Sequence, residues 1–276
     1  MNVLKRLSGF PVQTGSRYHL RCCVHRSRNG CVSHFQSVVE HFTDLVFEYL
    51  SVSGFNTRKT IHREAEKIFL RLWSQMPLAS RVSDVERLIW LQLSRLPLDE
   101  SGFLNRVNEL SPWWKEIASL SPEERFLLVA REMEGWSTPW LALATRNRGP
   151  ELDEKLFQMR MHLLRDVLPP LNPTIERKWR DFSICWDRRR DPAFCRELEK
   201  SASTNPDIRI FKTSWIERRC ELIEFRQNCR LSDNGKKLFL HQLTTRVATR
   251  ERFHPPLRTK LVNSIHFTSI PRFDHA

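Results

Sequence analysis

Cys22, Cys23, His25, Cys31 and His34 fall within thirteen residues of one another, and thiolates and imidazoles are the ligands zinc prefers. Their spacing fits no standard finger, so they read as free thiols in a loose basic arm, and no metal site is expected. Cys185, Cys195, Cys220 and Cys229 lie in a basic half of the chain, where a thiol pKa can fall. Nothing in the sequence places a base beside any of them. Seven cysteines, an odd number with no C-x-x-C pair, in a chain of 276 residues that can bury a core unaided, fit a reducing compartment and a cytoplasmic location. There is no H-E-x-x-H, no G-x-S-x-G and no Walker loop, so no enzyme, cofactor or small-molecule substrate is expected. The remaining chemistry is cationic. Arg188-Arg189-Arg190 and Arg218-Arg219 offer guanidinium groups to phosphate, RNA or an acidic partner, or else form a solvated face.

The charge is unevenly spread. The chain is +13 overall. Residues 1–40 hold six basic and one acidic residue, 41–110 nine of each, 111–170 eight basic and nine acidic, and 171–276 twenty-two basic and thirteen acidic. The surplus sits at the two ends, which makes the C-terminal half the expected seat of any affinity for nucleic acid. No stretch of roughly 18 apolar residues occurs, which excludes a membrane-spanning helix. With only 8 glycines, glycine-fingerprint nucleotide folds and turn-rich all-β folds are also disfavoured. The first 35 residues lack any acid and resemble an organelle transit peptide, a disordered basic arm or an extension from a wrongly chosen start, the second being the favoured reading.

Helical periodicity governs the chain from about residue 37. Val38, Val39, Phe42, Leu45, Val46 and Tyr49 mark a first amphipathic helix that Ser53-Gly54 stops. Ile61, Ala65, Ile68, Phe69, Leu72 and Trp73 mark a second, closed by Pro77. Ser83 and Glu86 have capping-box spacing for a third, and a fourth is expected over Phe103 to Leu110. Ser121-Pro122-Glu123-Glu124 combines a cap, a first-turn proline and a box glutamate. Its helix runs to Met133, and Gly135 ends it. Thr138-Pro139 and Gly149-Pro150 open the next two helices. Asp191-Pro192 and Asn205-Pro206 open two more, and Asn234-Gly235 reads as a turn before Leu238, Leu240 and Leu243.

Between Leu120 and Leu168 the order helix, glycine, short helix, turn, long helix is that of a helix-turn-helix. Here the sequence resembles the extracytoplasmic-function sigma factors of bacteria. Leu120, Pro122, Arg125, Arg131, Glu132, Glu134, Gly135 and Ser137 match their helix-turn-helix pattern, Leu141-Ala142 stands where they have Ile-Ala, and Leu152, Leu156, Arg160 and Leu163 match their recognition helix. Ala65–Met76 is similar to their polymerase-binding helix, and Ile89–Arg95 to the start of their promoter-melting helix. The resemblance covers about residues 37–168. It departs from the family where Arg63-Glu64-Ala65-Glu66 replaces an acidic-leucine-glutamine run and where Pro97 and Asp99-Glu100 interrupt the melting stretch. Arg146 also replaces the turn glycine, and Glu151, Asp153 and Glu154 open the reading helix in place of Thr, Lys and Ser. Carboxylates there suit the helix dipole but repel phosphates.

The expected protein is therefore all-α. It has a basic disordered arm (1–36), a sigma core-binding-like domain (37–110), a helix-turn-helix domain (111–170), a basic helical region (171–252) and a disordered tail (253–276). The resemblance implies docking on the RNA polymerase core through Phe69, Arg71, Leu72 and Trp73. It implies weak or eroded promoter contact through Arg146, Arg148, Glu151, Lys155, Gln158 and Arg160. Two other readings stand beside it: a sigma-like interaction module that no longer reads DNA, and a basic RNA- or organelle-associated helical protein. Phe69, Leu72 and Trp73 are equally consistent with core packing, and Lys155, Arg160 and Arg165 with a solvated helix face.

Overall fold

The computed structural model describes residues 14–99, 114–169, 172–188 and 192–253. The helix expected over Phe103 to Leu110, Arg189 and Arg190 of the arginine run, the first 13 residues and the tail beyond Phe253 lie outside the described residues.

Every regular element described is helical, the all-α class that the periodicity predicts. In chain order these are α1 (Thr14–Arg28), α2 (Val32–Val52), α3 (Arg58–Gln75), a 3₁₀ turn (Met76–Leu78), α4 (Val82–Leu93), α5 (Trp114–Ser119), α6 (Pro122–Leu127), a π turn (Leu128–Met133), α7 (Thr138–Thr145), α8 (Gly149–Leu163), α9 (Pro173–Arg188), α10 (Pro192–Thr204), α11 (Pro206–Cys229) and α12 (Asp233–Phe253).

Local chemistry sets most of the boundaries. Thr57 caps α3 by accepting from the Thr60 amide at 3.1 Å. Ser121 and Glu124 form the reciprocal box at the start of α6, at 3.2 and 2.7 Å, as their spacing predicts. The Asn205 carboxamide oxygen accepts from Asp207 and Ile208 at the head of α11. The box expected at Ser83 and Glu86 is displaced. Asp84 accepts from the amides of Ser80 and Arg81, each at 2.8 Å, so α4 begins two residues earlier and Glu86 turns into the core. The expected turn at Asn234-Gly235 is also absent: both residues lie in the first turn of α12, and the chain reverses before it.

Helix α2, about 30 Å long, is the axis of the molecule. It packs against α1, α3, α11, α12, α6 and the π turn. Thirteen of its residues are buried, which leaves little of it facing water. Two expectations fail here. Residues 14–28 are a helix docked on α2 through Leu20, Cys23 and Val24, not a disordered arm. The boundaries drawn after residues 110 and 170 also do not separate cores. One apolar cluster runs from Leu20 to Val247, and α2 packs both on its sequence neighbours α1 and α3 and on the distant α11 and α12.

Candidate functional site

Helix α8 carries most of the residues expected to read DNA, and its surroundings decide what it can do. Leu152, Leu156, Phe157, Met159 and Leu163 are buried, and α8 is packed by α6, α7 and α9. Arg160 faces inward with them, its side chain 1% exposed. Its Nε donates to Glu132 at 3.1 Å, its Nη1 to Ser183 Oγ at 2.6 Å and to Asp187 at 2.7 Å, and its Nη2 to both carboxylates. Arg131 donates to Asp187 Oδ1 at 2.9 Å and to the Trp136 carbonyl at 2.6 Å, and Arg219 of α11 approaches Glu132 at 3.4 Å. Arg160 is thus removed from the groove-facing set: all of its donors are directed at buried acceptors. Burial works against the Asp187 carboxylate, but Arg160 and Arg131 outweigh it and hold its pKa below the usual range.

A second buried cluster ties α2 to the C-terminal helices. Glu48, its side chain fully buried, accepts from Arg226 at 3.2 Å and Arg230 at 2.8 Å. Glu134, at the end of the π turn, pairs with the same two arginines, and Asp44 pairs with Lys236 at 2.9 Å. Burial and the neighbouring Glu134 push the Glu48 carboxyl well up, against the pull of the arginines. Together with Arg180–Glu154 and Arg246–Glu66, these pairs take up much of the positive surplus of the C-terminal half. The excess that the sequence shows there is in good part internal counter-charge for acids of residues 41–170.

The remaining expected DNA contacts divide. Lys155 is committed to Glu123 at 2.9 Å, Glu151 at 3.2 Å and Asn147 at 3.0 Å. Gln158 is exposed and donates to Glu154, which also pairs with Arg180 of α9. Asp153 is buried, so it does not share the outward first turn with Glu151 and Glu154 as expected. Arg146 and Arg148 are exposed. Arg146 and Arg81 and Arg87 of α4 line an open cleft of about 540 Å³ between α4 and α7, with Ser80, Ser83, Asn147 and Leu143. Three guanidinium groups against the single carboxylate of Asp84 suit this cleft to an anion.

Arg146 has φ 62°, the left-handed conformation that ends α7, at the place where the family pattern has glycine. A side chain at such a backbone position costs about 1–2 kcal/mol. Arg146→Gly is expected to raise stability by about 1 kcal/mol in urea denaturation; a loss would mean that the arginine side chain offsets the strain through its contacts.

The polymerase-binding set divides too. Phe69 and Leu72 are fully buried, and Phe239 of α12 lies 6.0 Å from the Phe69 ring. Trp73 is half-buried against Phe35, with ring centroids 4.7 Å apart. Phe69 and Leu72 therefore belong to the core, and α12 packs on α3 there through the Phe69–Phe239 contact. Arg71 alone of the four is exposed.

Of the N-terminal cysteines, Cys31 stands out. It occupies the cap position of α2, its Sγ lies 2.8 Å from His34 Nδ1 and 3.3 Å from Ser33 Oγ, and hydrogen bonds from Ser33 and His34 lower its pKa to about 7. Iodoacetamide labelling of Cys31 is expected to rise with pH about a midpoint near 7, and His34→Ala to move that midpoint upward; labelling that rises only above pH 8 would contradict the pairing. Among the described residues, no group of three or more His, Cys, Asp or Glu side chains is arranged to hold a metal ion, and no helix is long and apolar enough to cross a membrane.

The sequence signals for the two ion clusters were present but unread. Glu48 interrupts the run Leu45-Val46-Phe47 and Tyr49-Leu50, and Arg226 and Arg230 repeat at four. Arg125, Arg131, Glu132 and Gly135, which carry the family resemblance, also prove to have structural partners. Arg125 is buried and donates to the Leu120 carbonyl, Arg131 and Glu132 bracket α8 and α9, and Gly135 has φ 71°. Searches against protein families, curated proteins and solved structures return no match to this chain.

Proposed function

We propose that this chain is a sigma-factor-like protein-interaction module acting in transcription initiation or its regulation, with the RNA polymerase core as partner and without base reading by α8. The observation that carries the second half of this reading is the burial of Arg160. A helix that reads the major groove presents one face to base edges. Here the face of α8 that packs against Glu132 and Asp187 is closed, and the exposed Glu151 and Gln158 and the half-buried Glu154 are acidic or engaged within the protein. The first half rests on the helix order and on the motif residues from Leu120 to Leu163. The exposed cations Arg146 and Arg148 are left to contact a phosphate backbone without sequence preference.

Affinity purification of the tagged full chain tests the partner: RNA polymerase subunits are expected to co-purify. Arg71→Glu should weaken that recovery while shifting stability by no more than about 0.5 kcal/mol, as for an ordinary surface change. Failure of polymerase subunits to co-purify overturns the partner. Tight binding to one promoter duplex that scrambling its sequence abolishes overturns the loss of base reading.

A further inference from the structure

The outward face of α3 carries four cations at a spacing of four: Lys59, Arg63, Lys67 and Arg71. All four are exposed. At 1.5 Å per residue they form a row about 18 Å long with a cation about every 6 Å. The opposite face of the helix, Ile61, Ala65, Ile68, Phe69 and Leu72, is buried, so the row is fixed in place by the core and points away from it. One carboxylate lies along the row: Glu64 bridges Arg63 at 3.2 Å and Lys67 at 2.8 Å. The other acid of the helix, Glu66, is taken by Arg246 of α12. Like charges at this spacing repel, so the row works against the helix that bears it. It also contrasts with the C-terminal half, where so many arginines are paired internally.

We infer that this face of α3 binds the phosphate backbone of duplex DNA without regard to sequence. A row of cations that winds about 120° around a rigid helix suits a polymer whose charge recurs at short, regular intervals and whose backbone also winds, and a duplex offers one phosphate per about 1.7 Å of axis, so each cation finds a partner in many registers. The face has no exposed aromatic ring on which unpaired bases would stack: Phe69 is buried and Trp73 is packed on Phe35. That favours a duplex over a single strand. Two of the four cations are lysines, which act as point charges, and Glu64 engages Arg63, so the contact is positional, not sequence-specific. Arg71 is shared with the proposed polymerase contact, so the variants below leave it unchanged; the inference does not involve the α8 region.

The test uses the full chain and a fluorescein-labelled 20-base-pair duplex of arbitrary sequence, followed by anisotropy between 50 and 200 mM salt. Four phosphate contacts give a log–log slope near −3.6, about a hundred-fold loss of affinity across that range. Arg63→Glu with Lys67→Glu is expected to weaken binding at least ten-fold and to halve the slope. Its melting temperature is expected to fall slightly, because Glu64 loses both of its cations and gains like charges beside it; the glutamine variant next, which adds no acid, separates that effect from binding. Lys59→Gln with Lys67→Gln should give an intermediate loss. Lys200→Glu with Arg209→Glu, exposed cations elsewhere on the surface, should change affinity less than two-fold although total charge falls equally. The inference is overturned by unchanged binding in the α3 variants or by an equal loss in the Lys200/Arg209 variant. It is also overturned if an unlabelled single strand or polyglutamate displaces the duplex as well as unlabelled duplex does.

Discussion

Replacing Arg160 by alanine is expected to cost about 3–5 kcal/mol of stability, because it leaves Glu132 and Asp187 facing each other without their principal cation in a site closed to water. Removing one partner of a buried ion pair exposes the full desolvation penalty of the other. Urea denaturation of the full chain measures the loss. A change below about 1 kcal/mol would show that Arg131 and Arg219 can neutralise the pocket between them. Replacing Arg160 by methionine together with Glu132→Leu and Asp187→Leu should recover only part of the loss, since the apolar substitutes avoid their own desolvation but take Asp187 from Arg131 and Glu132 from Arg219. The same cluster ties stability to acidity. The Asp187 pKa is depressed in the folded state, so its contribution is present above its unfolded value of about 3.9 and is lost as pH falls through the lower folded value. The natural chain should therefore soften below pH 4, and the apolar triple variant should lose that part of the slope.

Phe239→Ala is expected to cost a similar amount, about 3–5 kcal/mol, the range for deleting a buried phenyl ring. Its ring sits in a T-shaped nest with Phe47 at 5.3 Å, His62 at 5.6 Å and Phe69 at 6.0 Å, and it anchors α12 to both α2 and α3. Phe239→Leu should cost less than half as much. Hydrogen exchange should show the loss concentrated in α12 and the facing sides of α2 and α3, while α8 and α9 stay protected. Uniform deprotection would instead mean that the molecule opens as one cooperative unit. The neighbouring His62 is held neutral by burial, with Arg58 adding to the effect, so its pKa lies below the ordinary value.

The all-α class and most helix starts were legible in the sequence because they rest on local chemistry. The Ser121–Glu124 box, the prolines at 122, 139, 150, 192 and 206, and the stops at Ser53-Gly54 and Pro77 act within one turn of the residues that form them. Asn234-Gly235 misled, because a helix tolerates glycine in its first turn when α12 is held from outside by Phe239, Leu240 and Leu243. The domain boundaries misled for a different reason. Segment charge shows where cations are plentiful but not which acids they meet, and Arg226 and Arg230 meet Glu48 across some 180 residues of chain. The same gap explains Arg160. Its position in the motif is compatible with an outward or an inward arginine, and besides Glu132 the groups that draw it inward, Ser183 and Asp187, come from a helix outside the resemblance. Arg71 and Arg146 remain at the surface.

The placement of α12 on α2 also governs how the molecule is made. Lys236 meets Asp44 across 192 residues of sequence. Ribosomes add about 5–20 residues per second, so α2 leaves the exit tunnel roughly 10 to 40 s before the helix that completes its cover. Throughout that interval Phe47 and Phe69 lack their Phe239 partner, and Glu48 lacks both of its arginines. The nascent chain therefore presents a sticky, charged-and-apolar strip to the cell until α12 has emerged, which makes it a natural client for chaperones that ride on the ribosome and makes copies terminated before α12 prone to aggregate.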